Sequence, residues 1–168
     1  MIRRSSVAAL ALLAAAALRA AEPPPVLRMP GAADRTLAPE SLLGRDSRDV
    51  RLEDADGGAT IFHGTPLLAV LENNGLDLRT MAGERKTAAE VVLVTARDGY
   101  TVVFSVGELR MNRSNPRVFL VSESAAGPLP ANEGPVRLIV YGDVVRSSYG
   151  LARVELKVLA DNTREGRK

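Results

Sequence analysis

The sequence contains no cysteine, one histidine and three lysines among 168 residues. Without cysteine there is no disulfide framework, no thiolate nucleophile, no thiolate metal ligand and no cysteine-bound cofactor. The one histidine, His63, has no second ligand at metal spacing beside it. No G-x-S-x-G elbow and no Gly-rich phosphate loop of either common type is present. Asp54-Ala55-Asp56-Gly57 has the opening of a calcium loop without its later ligands, and reads as a hairpin turn. Metal sites and a serine triad therefore have no support in the sequence, and neither catalytic nor metal-ligating residues are expected.

Long apolar runs are also lacking, with one exception. Residues 7–18 read VAALALLAAAAL, twelve residues without a charge, after Arg3 and Arg4. A positive start and an apolar run too short for a bilayer core of about 30 Å are the marks of an export signal. Ala20 suits the position before the cleavage point, so residues 1–20 are expected to be removed. Ser5-Ser6-Val7 after the Arg pair matches the general export route better than the twin-arginine route. With a composition rich in Ala, Leu, Val, Arg and Gly, this predicts a periplasmic or secreted bacterial protein with no stable membrane anchor.

Export changes the charge balance. Arg3, Arg4 and Arg19 are three of the 22 basic residues, and their removal leaves 19 against 20 acidic ones, a net of −1. The remaining chain has no general electrostatic attraction for nucleic acid or anionic membrane. Its 148 residues suffice for one domain with a core. The reading is an irregular Pro-rich lead-in over 21–35 with a short strand at 26–29, one domain over 36–160, and a frayed tail over 161–168.

Within the domain, periodicity alternates between strands and short helices. Residues 36–44 read as a short helix with Pro39 in its first turn and Gly44 at its end. Residues 49–54 and 59–63 form a hairpin around Asp56-Gly57-Gly58. The clearest helix follows Gly64, with Thr65 as its cap, Pro66 in its first turn and Gly75 as its left-handed stop. Residues 77–89 are charged and read as loop. A second hairpin joins 90–96 to 100–105 through Arg97-Asp98-Gly99. Ser105 and Glu108 are spaced as a capping box that starts a short helix. Strands are expected at 117–121, 136–140 and 153–159, with a Gly/Pro loop over 124–134. The order argues for an α+β fold: a mixed, curved β-sheet with short inserted helices.

Two loops stand out as candidate sites. Residues 110–116 carry Arg110, Asn112, Arg113 and Asn115, donors suited to an anion or a partner. Residues 141–149 carry Tyr141, Arg146, Ser147 and Tyr149, suited to line a pocket.

The joint order of these motifs resembles the sulfite-oxidase-type molybdopterin-binding domain. Gly64-Thr65-Pro66-Leu67 with Leu71 and Gly75 is similar to that family's G-V-P-L helix. Asp98-Gly99-Tyr100 with Ser105 and Glu108 is similar to its D-G-Y hairpin and short helix. Gly127-Pro128-Leu129-Pro130 with Gly134, Pro135, Arg137 and Leu138, and the closing Arg153-Val154-Glu155, resemble its later segments. The match runs over 36–159. It implies a mixed α/β fold with a curved sheet and, in the family, molybdenum held by a pterin and one protein cysteine on the strand before the G-V-P-L helix. Here that strand has no cysteine. The family's Y-G-x-K-S-x-K phosphate segment falls on 143–149, where Arg146 and Ser147 match and Asp143 and Tyr149 depart from it.

The expected function is an exported, non-catalytic binding or accessory domain. It contacts a periplasmic redox or signalling protein, or a small anionic ligand, through these two loops. No cofactor is expected, molybdopterin being implied by the resemblance alone. The alternatives are a molybdopterin-dependent oxidoreductase with a non-cysteine metal ligand, and a purely structural subunit of a redox assembly.

Overall fold

The computed structural model describes residues 22–53, 57–78 and 89–159. The expected export signal, the 54–56 turn, most of the charged 77–89 loop and the C-terminal tail lie outside the described residues. The strands are β1 (Val26–Arg28), β2 (Arg35–Thr36), β3 (Arg48–Glu53), β4 (Ala59–Pro66), β5 (Glu90–Ala96), β6 (Thr101–Ser105), β7 (Val118–Ser124), β8 (Gly127–Pro128), β9 (Arg137–Val140) and β10 (Leu151–Val158). Among the described residues two α-helices interrupt them, α1 (Leu67–Asn73) and α2 (Val106–Met111). The sheet-rich α+β class expected from the sequence is the one observed.

The strands form two five-stranded sheets where one was expected. The first has the order β2-β1-β10-β5-β6, with β1 parallel to β10 and the other pairs antiparallel. In the second, β3-β4-β7-β8, strand β9 also pairs with β7. The division arises because the β3/β4 hairpin docks on β7 rather than on the β5/β6 hairpin, while β10 enters between β1 and β5. Local alternation identifies strands but carries no record of their partners.

The main core is shared by the first sheet, the helices and one face of the second sheet, with Leu67, Leu71, Val92, Phe104, Leu120 and Leu138 fully buried. A smaller cluster of Val50, Phe62, Phe119, Val121 and Ile139 covers the opposite face of the second sheet. Strand β7 feeds both, Leu120 one and Phe119 and Val121 the other.

Both hairpins occur where expected, and Gly99 takes a φ of +88° in the turn of the second. The Ser105 hydroxyl accepts the Glu108 amide at 2.9 Å, as the capping pattern predicts. Two expectations are corrected. Residues 36–44 do not form one helix: Arg35 and Thr36 pair with β1, the Leu37 N–H donates to the Pro25 carbonyl at 2.8 Å, and only a 3₁₀ turn remains at Pro39–Leu42. Thr65 does not cap α1. Its pairing with Leu120 keeps it extended, its hydroxyl donates to the Leu42 carbonyl at 2.7 Å, and Pro66 occupies the cap position.

Candidate functional site

A cavity of about 310 Å³ opens between α1, the start of β3 and the turns that follow α2 and β9. Its floor is apolar, formed by Pro66, Leu68, Leu109, Val118 and Val140. Its rim carries four arginines, Arg48, Arg113, Arg117 and Arg146. The volume sits near the lower end of small-molecule sites, and the lining is more polar than is usual for one, because Asp46, Glu72, Glu108 and Asp143 stand among the arginines.

Three of the rim arginines are held, each differently. Arg146 follows β9 in a turn closed by Asp143. One carboxylate oxygen of Asp143 accepts the Arg146 backbone N–H at 3.0 Å and the other accepts Nε at 2.7 Å. Nη1 of Arg146 reaches Glu108 Oε1 at 2.9 Å, and the guanidinium lies 5.2 Å from the centre of the Phe104 ring. The Glu108 side chain, expected to complete the capping box, is thus turned to Arg146. Arg113 pairs with Glu72 on α1 at 3.0 Å. Arg117 donates from Nε and Nη2 to the Tyr141 carbonyl at 3.2 and 3.0 Å, and has no carboxylate partner among the described residues. Arg48 stands exposed on β3 with no side-chain partner among them.

Gly142 makes the Arg117 arrangement possible. Its φ is +76°, and a Cβ there would stand 2.8 Å from Arg117 Nη2. A side chain at 142 would both strain the turn and displace the guanidinium.

The hydrogen bonds from Arg146, side chain first and then backbone, hold the Asp143 carboxyl below the ordinary carboxylate range, and the same pairing raises Arg146. A carboxyl depressed in the folded state binds its proton more readily when unfolded. Its contribution is therefore complete above the unfolded value of about 3.9 and is lost as the pH falls through the depressed one. Asp143→Asn is expected to unfold at a lower urea concentration than the parent at pH 7, and the gap is expected to close in acid. Urea midpoints measured from neutral pH down through about pH 3 decide it; an undiminished gap in acid would contradict the assignment.

The two loops singled out in the sequence meet at this cavity, but not all their residues do. Asn112, Arg113, Tyr141 and Arg146 line it. The Asn112 side chain donates to the Glu108 carbonyl at 3.0 Å and closes α2. Arg110 and Asn115 are exposed and do not line it. Ser147 braces the turn from within, donating to the Asp143 carbonyl at 3.1 Å and accepting the Val140 N–H at 3.0 Å. Tyr149 faces elsewhere: its ring lies 4.1 Å from the Arg137 guanidinium, which also covers Phe62 and pairs with Glu133. His63 pairs with Asp49 at 2.7 Å on the second sheet and does not line the cavity.

Sequence reading missed Arg48 and Arg117, which look like ordinary strand residues, and Glu108, which looks like a cap. It also missed Tyr100, whose hydroxyl donates to the Val145 carbonyl at 2.5 Å and ties the second hairpin to the 141–149 loop.

No protein-family model matches this sequence, and no curated protein matches it. The residues in place do not fit the molybdopterin that the resemblance implies. The sequence offers no thiolate for the metal, and no group of three metal-ligating side chains occurs among the described residues. At the positions matching the phosphate segment, the Arg146 guanidinium is occupied by Asp143 and Glu108, and Tyr149 is occupied by Arg137.

Proposed function

We propose that this chain is an exported, non-catalytic binding domain with the fold of the sulfite-oxidase-type molybdopterin-binding family. It holds an anionic group, presented by a periplasmic partner protein or a small ligand, at the cavity between the 110–116 and 141–149 loops. The observation that carries this reading is the pair Arg48 and Arg117. They share one cavity rim, and neither has a carboxylate partner among the described residues, whereas Arg113 and Arg146 are neutralised by Glu72, Glu108 and Asp143. Guanidinium groups with open donors above an apolar floor favour carboxylate or phosphate bound in a fork. Support for the family fold comes from its motif residues: the helix after Gly64-Thr65-Pro66, the hairpin at Asp98-Gly99 and the Ser105-capped helix stand in the family's order.

The test is a calorimetric titration of the protein with inorganic pyrophosphate at low salt, joined to molybdenum analysis of protein purified from the periplasm. Each charge-assisted hydrogen bond is worth about 1.5–3 kcal/mol, so Arg48→Ala with Arg117→Ala is expected to weaken binding about tenfold or more. Unchanged affinity in that double variant would remove the cavity as the site. Stoichiometric molybdenum would overturn the non-catalytic reading in favour of the oxidoreductase.

A further inference from the structure

Exposed sheet edges are usually blunted by charge, proline, shortness or cover, because their open amide groups pair with other strands. Four edges among the described residues follow that rule. Strand β2 has two residues, and β8 has two residues including Pro128. Strand β3 carries Arg48, Asp49, Arg51 and Glu53. The outer side of β9 is taken by Ser148, which exchanges two backbone hydrogen bonds with Leu138 at 2.9 and 3.0 Å.

Strand β6 breaks the rule. It reads Thr-Val-Val-Phe-Ser, with no charge, proline or glycine, and it ends the first sheet. Ala96 N–H donates to the Tyr100 carbonyl at 2.8 Å, and the ladder alternates from there. Val102 and Phe104 therefore bond to β5, while the amide groups of Thr101 and Val103 point away from it. Those groups have no backbone partner among the described residues. The Val103 side chain is 52% exposed and lies beside the half-buried Leu93 on one face of the sheet.

We infer that β6 is a self-association edge, at which two copies of this chain pair their Thr101–Ser105 strands antiparallel about a two-fold axis at Val103. The sequence of the strand fits its own reverse. With Val103 on the axis, each Val103 exchanges both backbone bonds with its copy, and each Ser105 N–H meets the Thr101 carbonyl of the other copy. Hydroxyl residues then face hydroxyl residues, valine faces valine, and no like charges meet. The apolar strip of Leu93 and Val103 continues across the axis into the second copy, and the two first sheets become one. This inference does not depend on the cavity or on its ligand.

Sedimentation velocity of the purified protein over a range from micromolar to near-millimolar is expected to show twice the monomer mass at the upper end. Val103→Lys places two ammonium groups at the axis and is expected to hold the monomer mass throughout, with an unchanged circular dichroism spectrum. The absence of natural cysteine supplies a second measurement that leaves the edge backbone intact. Across the axis the two copies of residue 103 stand with Cα atoms about 5.5 Å apart, inside the range a disulfide spans. The copies of residue 101 stand about 13 Å apart, outside it. Mild oxidation is expected to cross-link Val103→Cys into dimers and to leave Thr101→Cys uncross-linked. A parent protein that stays monomeric over the whole range overturns the proposal. So does a dimer that survives Val103→Lys, or one in which Val103→Cys fails to cross-link.

Discussion

Gly64→Ala is expected to destabilise the protein by about 3 kcal/mol or more, the upper part of the usual overpacking range. A Cβ at this position would stand 2.3 Å from the Leu120 carbonyl oxygen and 2.7 Å from Val121 Cα. Both obstacles are backbone atoms of β7, which is buried on both faces by the two cores and cannot step aside cheaply. The site lies at the register shift between β4 and β7. In a domain of this size the loss corresponds to roughly a 10 °C fall in melting temperature. Gly75 provides the contrast. It adopts a φ of +110° at the end of α1, yet nothing lies within 4 Å of the Cβ it would gain. Gly75→Ala is expected to lose only about 1–2 kcal/mol of backbone strain. Thermal or urea unfolding of the two variants side by side gives the order directly, and a Gly75→Ala loss larger than that of Gly64→Ala would refute the steric account.

Phe104→Ala is expected to cost about 3–5 kcal/mol, a large part of the 5–15 kcal/mol that stabilises a typical domain. Phe104 is completely buried and the largest such side chain in the described core. It belongs to the main core, and Val92 on β5 is its neighbour in register. Its ring also carries the Arg146 guanidinium at 5.2 Å, so the same residue joins the core to the cavity rim. Phe104→Leu separates the two roles. It keeps most of the apolar volume and is expected to lose only about 1–2 kcal/mol, while removing the ring face beneath Arg146. Urea midpoints report the core. The affinity for inorganic pyrophosphate reports the rim, and is expected to fall in Phe104→Leu by a few-fold at most, because Asp143 and Glu108 still hold Arg146. A Phe104→Ala protein with an unchanged midpoint would contradict the packing assignment.

These two residues look different in sequence and in structure. Phe104 belongs to the run YTVVFS, and the β-branched residues that follow Asp98-Gly99 assign it to a strand, while its burial was decided by the fold. Gly64 reads as a helix-entry residue, because Thr65 and Pro66 suit a cap and a first turn. The structure gives it another reason for being glycine, the passage of β7 across its back. The candidate site divides in the same way. The donor-rich loops at 110–116 and 141–149 were recognisable from composition, and Asn112, Arg113, Tyr141 and Arg146 reach the cavity. Ser147 and Tyr149 do not, because one braces the turn beneath it and the other stacks on Arg137.

By itself the sequence determined the local elements. Asp98-Gly99 between β-branched runs sets the second hairpin, Ser105 caps α2, Gly75 stops α1, and short β-branched or alternating runs mark most strands to within a few residues. Each of these depends on contacts a few residues apart, so each is written in neighbouring side chains. Only the tertiary structure decided that there are two sheets, that β1 runs parallel beside β10, and that Arg48 and Arg117 share a rim with loops distant in the chain. Those outcomes depend on which apolar faces cover one another. Many pairings satisfy the same local pattern, and only burial of the whole core selects among them.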